Sequence, residues 1–221
     1  MNNNRNDIDS GEHIVRHRGA DRLYHWLLAV SVLTLLGTAF LPILGWKFAW
    51  LDAHWIAGVV LGVLVIVHIV RALVWLDLKS MMIWPRDLIE SWVAVRHELG
   101  GGAPPPLPGK YPLMQRGYHA FIALLILVLL VTGGLMMSKI DTPLWSRNPY
   151  WLSQSTWGIV YVVHDLAAMA VLALVMIHIY FALRPEKLWI TRSMITGWIT
   201  RKQYLAHHDP ARWQPDEGVG Q

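Results

Sequence analysis

The sequence predicts an all-α membrane protein, a bundle of four transmembrane helices with both termini on the cytoplasmic side. Three observations carry this expectation. Four stretches, at about residues 24–44, 53–76, 118–137 and 157–183, are each long and apolar enough to cross a hydrocarbon core about 30 Å thick. Only 15% of the 221 residues are charged and 54% are hydrophobic, whereas a soluble domain carries roughly 25% charge. Lysine and arginine are also lopsided. Four lie in the N-terminal segment, six from Arg71 to Arg116 and six in the C-terminal tail, against Lys47, Lys139 and Arg147 on the other face. That bias puts both termini and the long loop in the cytoplasm, in a multi-pass membrane protein. The net charge of +4 thus reports orientation, and no nucleic-acid partner is expected.

The N-terminal segment, residues 1–23, is polar and lacks the apolar core of a cleavable signal peptide. The first span is therefore expected to direct insertion. A short turn leads to the second span, where Gly58 and Gly62 form a small-residue step that suits close approach of a helix or a bulky cofactor. The loop at about 77–115 contains GGGAPPPLPG, flexible then stiff, which cannot be helical. Gly133 and Gly134 near the outer end of the third span suit clearance or a bend, and a loop holding Pro143 and Pro149 leads to the fourth span. The tail, residues 184–221, begins with a basic and aromatic stretch at 187–200, expected to form a short helix along the membrane surface. Trp46, Trp50, Trp55, Trp145, Trp151 and Trp157 mark the outer interface, and Trp75, Trp84, Trp189 and Trp198 the inner one.

No cysteine is present, which excludes disulfides, iron–sulfur clusters, thiolate ligands and covalent c-type haem attachment. Metal chemistry here must rest on histidine. Six of the eleven histidines fall within the spans, where ionisable groups are costly and usually functional. In the fourth span, HDLAAMAVLALVMIH places His164 and His178 fourteen residues apart, and His54 and His68 repeat the spacing in the second. Fourteen residues rise about 21 Å and fall about 40° short of four turns, so each pair faces one way at two depths. Imidazoles at two levels, aimed inward from facing helices, are what two stacked haems require. Depth pairs His54 with His164 at the outer level. At the inner level His178 has two possible partners, His25 and His68. Spacing favours His68. Small residues beneath the ligands do not decide, because Ala or Gly follows every one of the six four positions on: Ala29, Gly58, Ala72, Ala123, Ala168 and Ala182.

The stretches DRLYHW, LDAHWIAGVVLG, GKYPLMQRGYHAF and HDLAAMAVLALVMIHIYFA, with the tail from SMITGW to HHDPARW, touch all four spans. They resemble the dihaem cytochrome b subunits of bacterial respiratory oxidoreductases, above all the formate dehydrogenase gamma subunit. The resemblance implies two haem b groups, an outer one on His54 and His164 and an inner one on His25 and His178, with His68 outside the ligand set. It implies quinone reduction (menaquinone or ubiquinone) near the inner haem, beside the segment before the third span. There Gln115, Arg116, Tyr118 and His119 are candidate contacts, although Pro112 stands where that family has asparagine. Arg22, Arg71 and Arg184 at the inner boundary are candidate partners for haem propionates. The implied partners are an iron–sulfur subunit and a molybdenum or tungsten catalytic subunit on the periplasmic side, with a higher oligomer as a further possibility. Electrons would then run from that partner through the membrane to quinone.

Two rival readings remain open at this point. A free-standing dihaem quinol-oxidising cytochrome b would have the same residues without the large partner. A histidine-lined metal transporter would want acidic residues along its spans, yet only Asp165 and the edge residue Asp52 are present there.

Overall fold

A computed structural model describes residues 13–74 and 78–215. Residues 1–12, together with Trp75 of the expected inner belt and Asp77 at the start of the long loop, lie outside the described residues. Among those described, four helices are long and apolar enough to cross a membrane: α1 (Gly19–Phe40), α2 (Trp50–Val74), α5 (Leu113–Met137) and α6 (Gln154–Leu183). At 22 to 30 residues they are about 33–45 Å long. The protein is a membrane helical bundle, as its composition predicts.

Helices α1, α5 and α6 begin before the apolar runs that announce them, because helix ends are set by hydrogen bonding and not by hydropathy. The Arg18 carbonyl accepts the N–H groups of Asp21 and Arg22 at the start of α1, and the Pro112 carbonyl accepts those of Gln115 and Arg116 at the start of α5. Ser153 caps α6 by accepting the Thr156 N–H through its hydroxyl.

The segment between α2 and α5 holds α3 (Leu78–Met81) and α4 (Pro85–Glu98), helices that its polar composition conceals. Pro85 occupies the first turn of α4, where a missing N–H costs nothing. Asp87 accepts the Trp84 N–H at 2.6 Å, and Gly100 ends the helix with φ +85°. GGGAPPPLPG lies beyond that end and is non-helical.

The chain divides into two compact units. One comprises Leu23–Val74 and Ala120–Phe181, the membrane-crossing parts of the four long helices. Its neighbours form a ring: Gly58 of α2 faces Leu35 of α1, Gly62 of α2 faces Leu130 of α5, and Gly133 of α5 faces His164 of α6. His178 of α6 faces His25 of α1 and closes it. Large apolar side chains such as Leu33, Val63, Val131 and Ile159 are exposed, while Ser31, Thr38, Thr132 and Ser138 are buried. That distribution inverts a soluble core and suits a bundle whose outer solvent is lipid. Trp157 departs from its expected place in the outer belt. It is 1% exposed, donates its indole N–H to the Pro149 carbonyl at 2.9 Å and lies under the Lys139 ammonium, so it packs the interior instead of facing the interface.

The other unit gathers the described parts of Met1–Arg22, Trp75–His119 and Ala182–Gln221. Strand β1 (His13–Val15) pairs antiparallel with β2 (Trp198–Thr200), Ile14 opposite Ile199. A 3-10 turn (Pro185–Lys187) and helix α7 (Leu188–Thr196) precede β2, and α8 (Arg201–His207) follows it. The expected helix at 187–200 thus exists but stops at Gly197, whose φ of +96° turns the chain into the strand. The Gly197 carbonyl accepts the N–H groups of Arg16 and His17. Thr200 and Gln203 cap α8 reciprocally. Ile199, Tyr204 and Trp213 form the core of this unit, with Ile14 and Trp189 against it. Arg16 is buried between the rings of Trp189 and Trp213 and donates to His208 Nε2 at 2.7 Å, while His208 donates from Nδ1 to the Gly109 carbonyl at 2.8 Å. Both ring nitrogens are thereby committed in the neutral form. Burial foremost, with the Arg16 charge adding to it against the pull of the Gly109 carbonyl, lowers the His208 pKa to about 4.

Candidate functional site

The fourth long helix supplies two of the six span histidines. Trp157, Val160, Ala167 and Val171 are its buried positions, and His164 and His178 continue that stripe at three, four or seven residues. Their register comes directly from the helical period.

His178 and His25 face each other with ring centroids 6.3 Å apart and planes at 49°. His68, the other inner-level histidine, instead stacks on Tyr24 at 5.1 Å and 16°. Tyr24 is itself pinned, donating its hydroxyl to the Leu64 carbonyl at 2.7 Å and lying under the Arg71 guanidinium.

His54 and His164 lie within electrostatic reach of each other. Each is held by a threonine from a neighbouring helix: Thr38 Oγ1 is 2.8 Å from His54 Nδ1, and Thr132 Oγ1 is 2.8 Å from His164 Nδ1. Both threonines are buried. Neither was expected from the sequence, although counting depth along the spans, as for the histidines, would have put both hydroxyls at the outer level. Gly133 beside Thr132 lets α5 approach closely, since a Cβ there would lie 3.3 Å from His164 Cε1. The expected clearance at this glycine is clearance for an imidazole.

The remaining candidates have other partners. Arg22 donates to the Ile195 carbonyl, Arg71 lies over Tyr24, and Arg184 pairs with Glu186. Arg116 grips Asp87 through both terminal nitrogens, at 3.0 and 2.7 Å, and also donates to the Met82 carbonyl. Gln115, Tyr118 and His119 stand beside it at the start of α5. Burial raises the Asp87 pKa, but the Arg116 fork, the Trp84 N–H and the Arg86 charge outweigh it, and the carboxyl sits below its ordinary value.

Imidazoles set this way fit a haem. A metal between two rings, bonded to each at about 2 Å, needs a centroid separation close to the 6.3 Å of His25 and His178. At the outer-level histidines Nδ1 is occupied by threonine, so Nε2 is the nitrogen available to a metal. Among the described residues no group of three or more His, Asp or Glu could hold a metal ion. Paired imidazoles suit a porphyrin iron better than a bare cation.

Known proteins resemble this chain. A family model described as prokaryotic cytochrome b561 matches residues 16–197. The formate dehydrogenase cytochrome b556 subunit of Haemophilus influenzae is 25% identical over 96% of this chain and 86% of its own length. The formate dehydrogenase cytochrome b556(fdo) subunit of Escherichia coli K12 is 25% identical, covering 90% of this chain and 91% of its own. A probable Ni/Fe-hydrogenase B-type cytochrome subunit of Bradyrhizobium diazoefficiens is 27% identical, over 80% and 81%.

Proposed function

The chain belongs to the prokaryotic cytochrome b561 family, membrane b-type cytochromes that carry electrons on haem b, and from that premise we propose that it is the dihaem membrane subunit of a respiratory oxidoreductase complex. It links a periplasmic catalytic partner to the quinone pool of a bacterial inner membrane, with both termini in the cytoplasm. The observation that carries this reading is the facing of His25 and His178, ring centroids 6.3 Å apart, while His68 turns to Tyr24.

In this reading His54 and His164 hold the outer haem and His25 and His178 the inner one. Bound there, the two haems supply one-electron stations at two depths of the membrane. The residues of the chain do the rest. Apolar spans keep water and mobile charge away, the paired imidazoles would hold the irons, and Arg22, Arg71 and Arg184 put positive charge at the inner boundary. Gln115, Tyr118 and His119 form the quinone contact at the cytoplasmic start of α5, and their amide, phenol and imidazole groups can donate hydrogen bonds to a quinone oxygen. Protons for quinone reduction enter from that side, so each turnover moves charge across the membrane. Arg116, shared between Asp87 and the Met82 carbonyl, holds the segment in place instead of meeting quinone.

Relatives named for formate dehydrogenase and for Ni/Fe-hydrogenase support a catalytic partner, and the two names point to different donors. Substrate choice therefore resides in the partner. An iron–sulfur subunit joined to a molybdenum or tungsten subunit, oxidising formate, is the first partner to seek. The decisive measurement is haem quantification with a reduced-minus-oxidised spectrum. Wild type should hold two haems per chain, His25→Ala one and His68→Ala two. One haem in the His68 variant and two in the His25 variant would reverse the inner assignment.

A further inference from the structure

We infer that Thr38 and Thr132 are positioning residues of the outer haem site, each fixing the tautomer and donor strength of one axial imidazole; this rests on the dihaem reading above. A threonine hydroxyl has one proton. In both residues that proton has a destination within its own helix. Thr38 Oγ1 lies 2.8 Å from the Thr34 carbonyl and 3.0 Å from that of Leu35, and Thr132 Oγ1 lies 2.7 Å from the Val128 carbonyl. A carbonyl only accepts, and two oxygens at such distances repel unless a proton lies between them. The hydroxyl therefore donates back into the helix. It then meets the imidazole as an acceptor, and the atom facing it is Nδ1–H.

With Nδ1 protonated, Nε2 carries the lone pair that binds iron. An accepted hydrogen bond at Nδ1–H pushes electron density onto the ring, strengthens it as a donor and favours ferric over ferrous iron. The same device is built twice, once on each face of the same haem: α1 supports the ligand of α2, and α5 supports the ligand of α6. A threonine methyl packed against apolar neighbours would serve structure alone, and the valine isostere separates the two roles.

The test is a redox titration with low-temperature electron paramagnetic resonance on the purified full-length protein, comparing Thr38→Val, Thr132→Val, the double variant and the serine counterparts. Each valine variant should raise the midpoint of the one haem that His54→Ala removes and change its g-values. The inner haem serves as internal standard. A shift approaching tenfold in the ferrous-to-ferric ratio, about 59 mV for one electron, is expected for the double variant, and serine should restore the wild-type value. Loss of the outer haem in the valine variants with retention in the serine variants carries the same meaning. Two haems with unmoved midpoints in the valine variants, or equal damage from valine and serine, would overturn the proposal and leave the dihaem reading intact. A wild type with fewer than two haems would overturn that reading first.

Discussion

A Cβ at Gly133 would meet His164 Cε1 at 3.3 Å, tighter than ordinary van der Waals contact, so this glycine sets how closely the third span approaches a fourth-span imidazole. Gly133→Ala should displace the ring by a few tenths of an ångström, shifting or broadening the outer haem signal in optical and paramagnetic spectra. Gly134→Ala, whose added methyl meets nothing within 4 Å, should leave both spectra unchanged. Equal spectra for the two variants would show that the contact does not matter. At this scale the sequence is informative where chemistry is conspicuous. An imidazole in an apolar run stands out, and its depth follows from counting residues. A threonine in such a run does not, because hydroxyls in membrane helices usually bond only their own backbone. Thr38 and Thr132 acquire meaning from the face they present to the next helix, which no single segment reveals. Spacing favours His68 over His25 for a similar reason: Tyr24, adjacent to His25, lays its ring against His68, and the period of a helix does not report on a neighbour's stacking.

Among the elements, α4 shows how a hydropathy reading passes over a helix. Its apolar residues Leu88, Trp92 and Val95, with Leu99 just past its end, recur at helical spacing and are exposed, while Asp87 on another face is buried. Charged residues interleave the stripe, so the average looks like a loop. What ties α4 to the start of α5 is the Asp87–Arg116 ion pair, with side chains 6% and 11% exposed. Removing one member of such a pair strands a buried charge, at a cost of about 3–5 kcal/mol. Asp87→Asn should therefore collapse the amide-exchange protection of residues 85–98 by two or more orders of magnitude. Protection equal to wild type would show that the fork is ornamental. The four long spans, by contrast, were legible throughout, because twenty successive apolar residues leave a chain few alternatives. Only their ends moved, where capping rather than hydropathy decides.

At the scale of the whole molecule, the unit built from the chain's N-terminal segment, long loop and tail has a pH dependence of definite sign. His208 titrates at about 4 when folded and near 6.5 when unfolded. Above pH 6.5 both states are neutral there and the group contributes no slope. Between 6.5 and 4 the unfolded chain binds a proton that the folded unit refuses, so stability falls as the pH falls and levels off below 4. Burial, with the charges of Lys187 and Arg16, lowers the pKa of His207 as well, in the same sense. Exchange protection at Ile14 and Ile199 should be constant above pH 6.5 and decline below it; constant protection down to pH 4.5 would refute the assignment. The pairing of β1 with β2 also orders the protein's biogenesis. Residues 13–15 leave the ribosome some 180 residues ahead of the strand they pair with, on the order of ten to forty seconds at ordinary translation rates. Throughout that interval, while the spans are being inserted, the early strand waits without its partner. Closure of this unit can come only after the fourth span has been made.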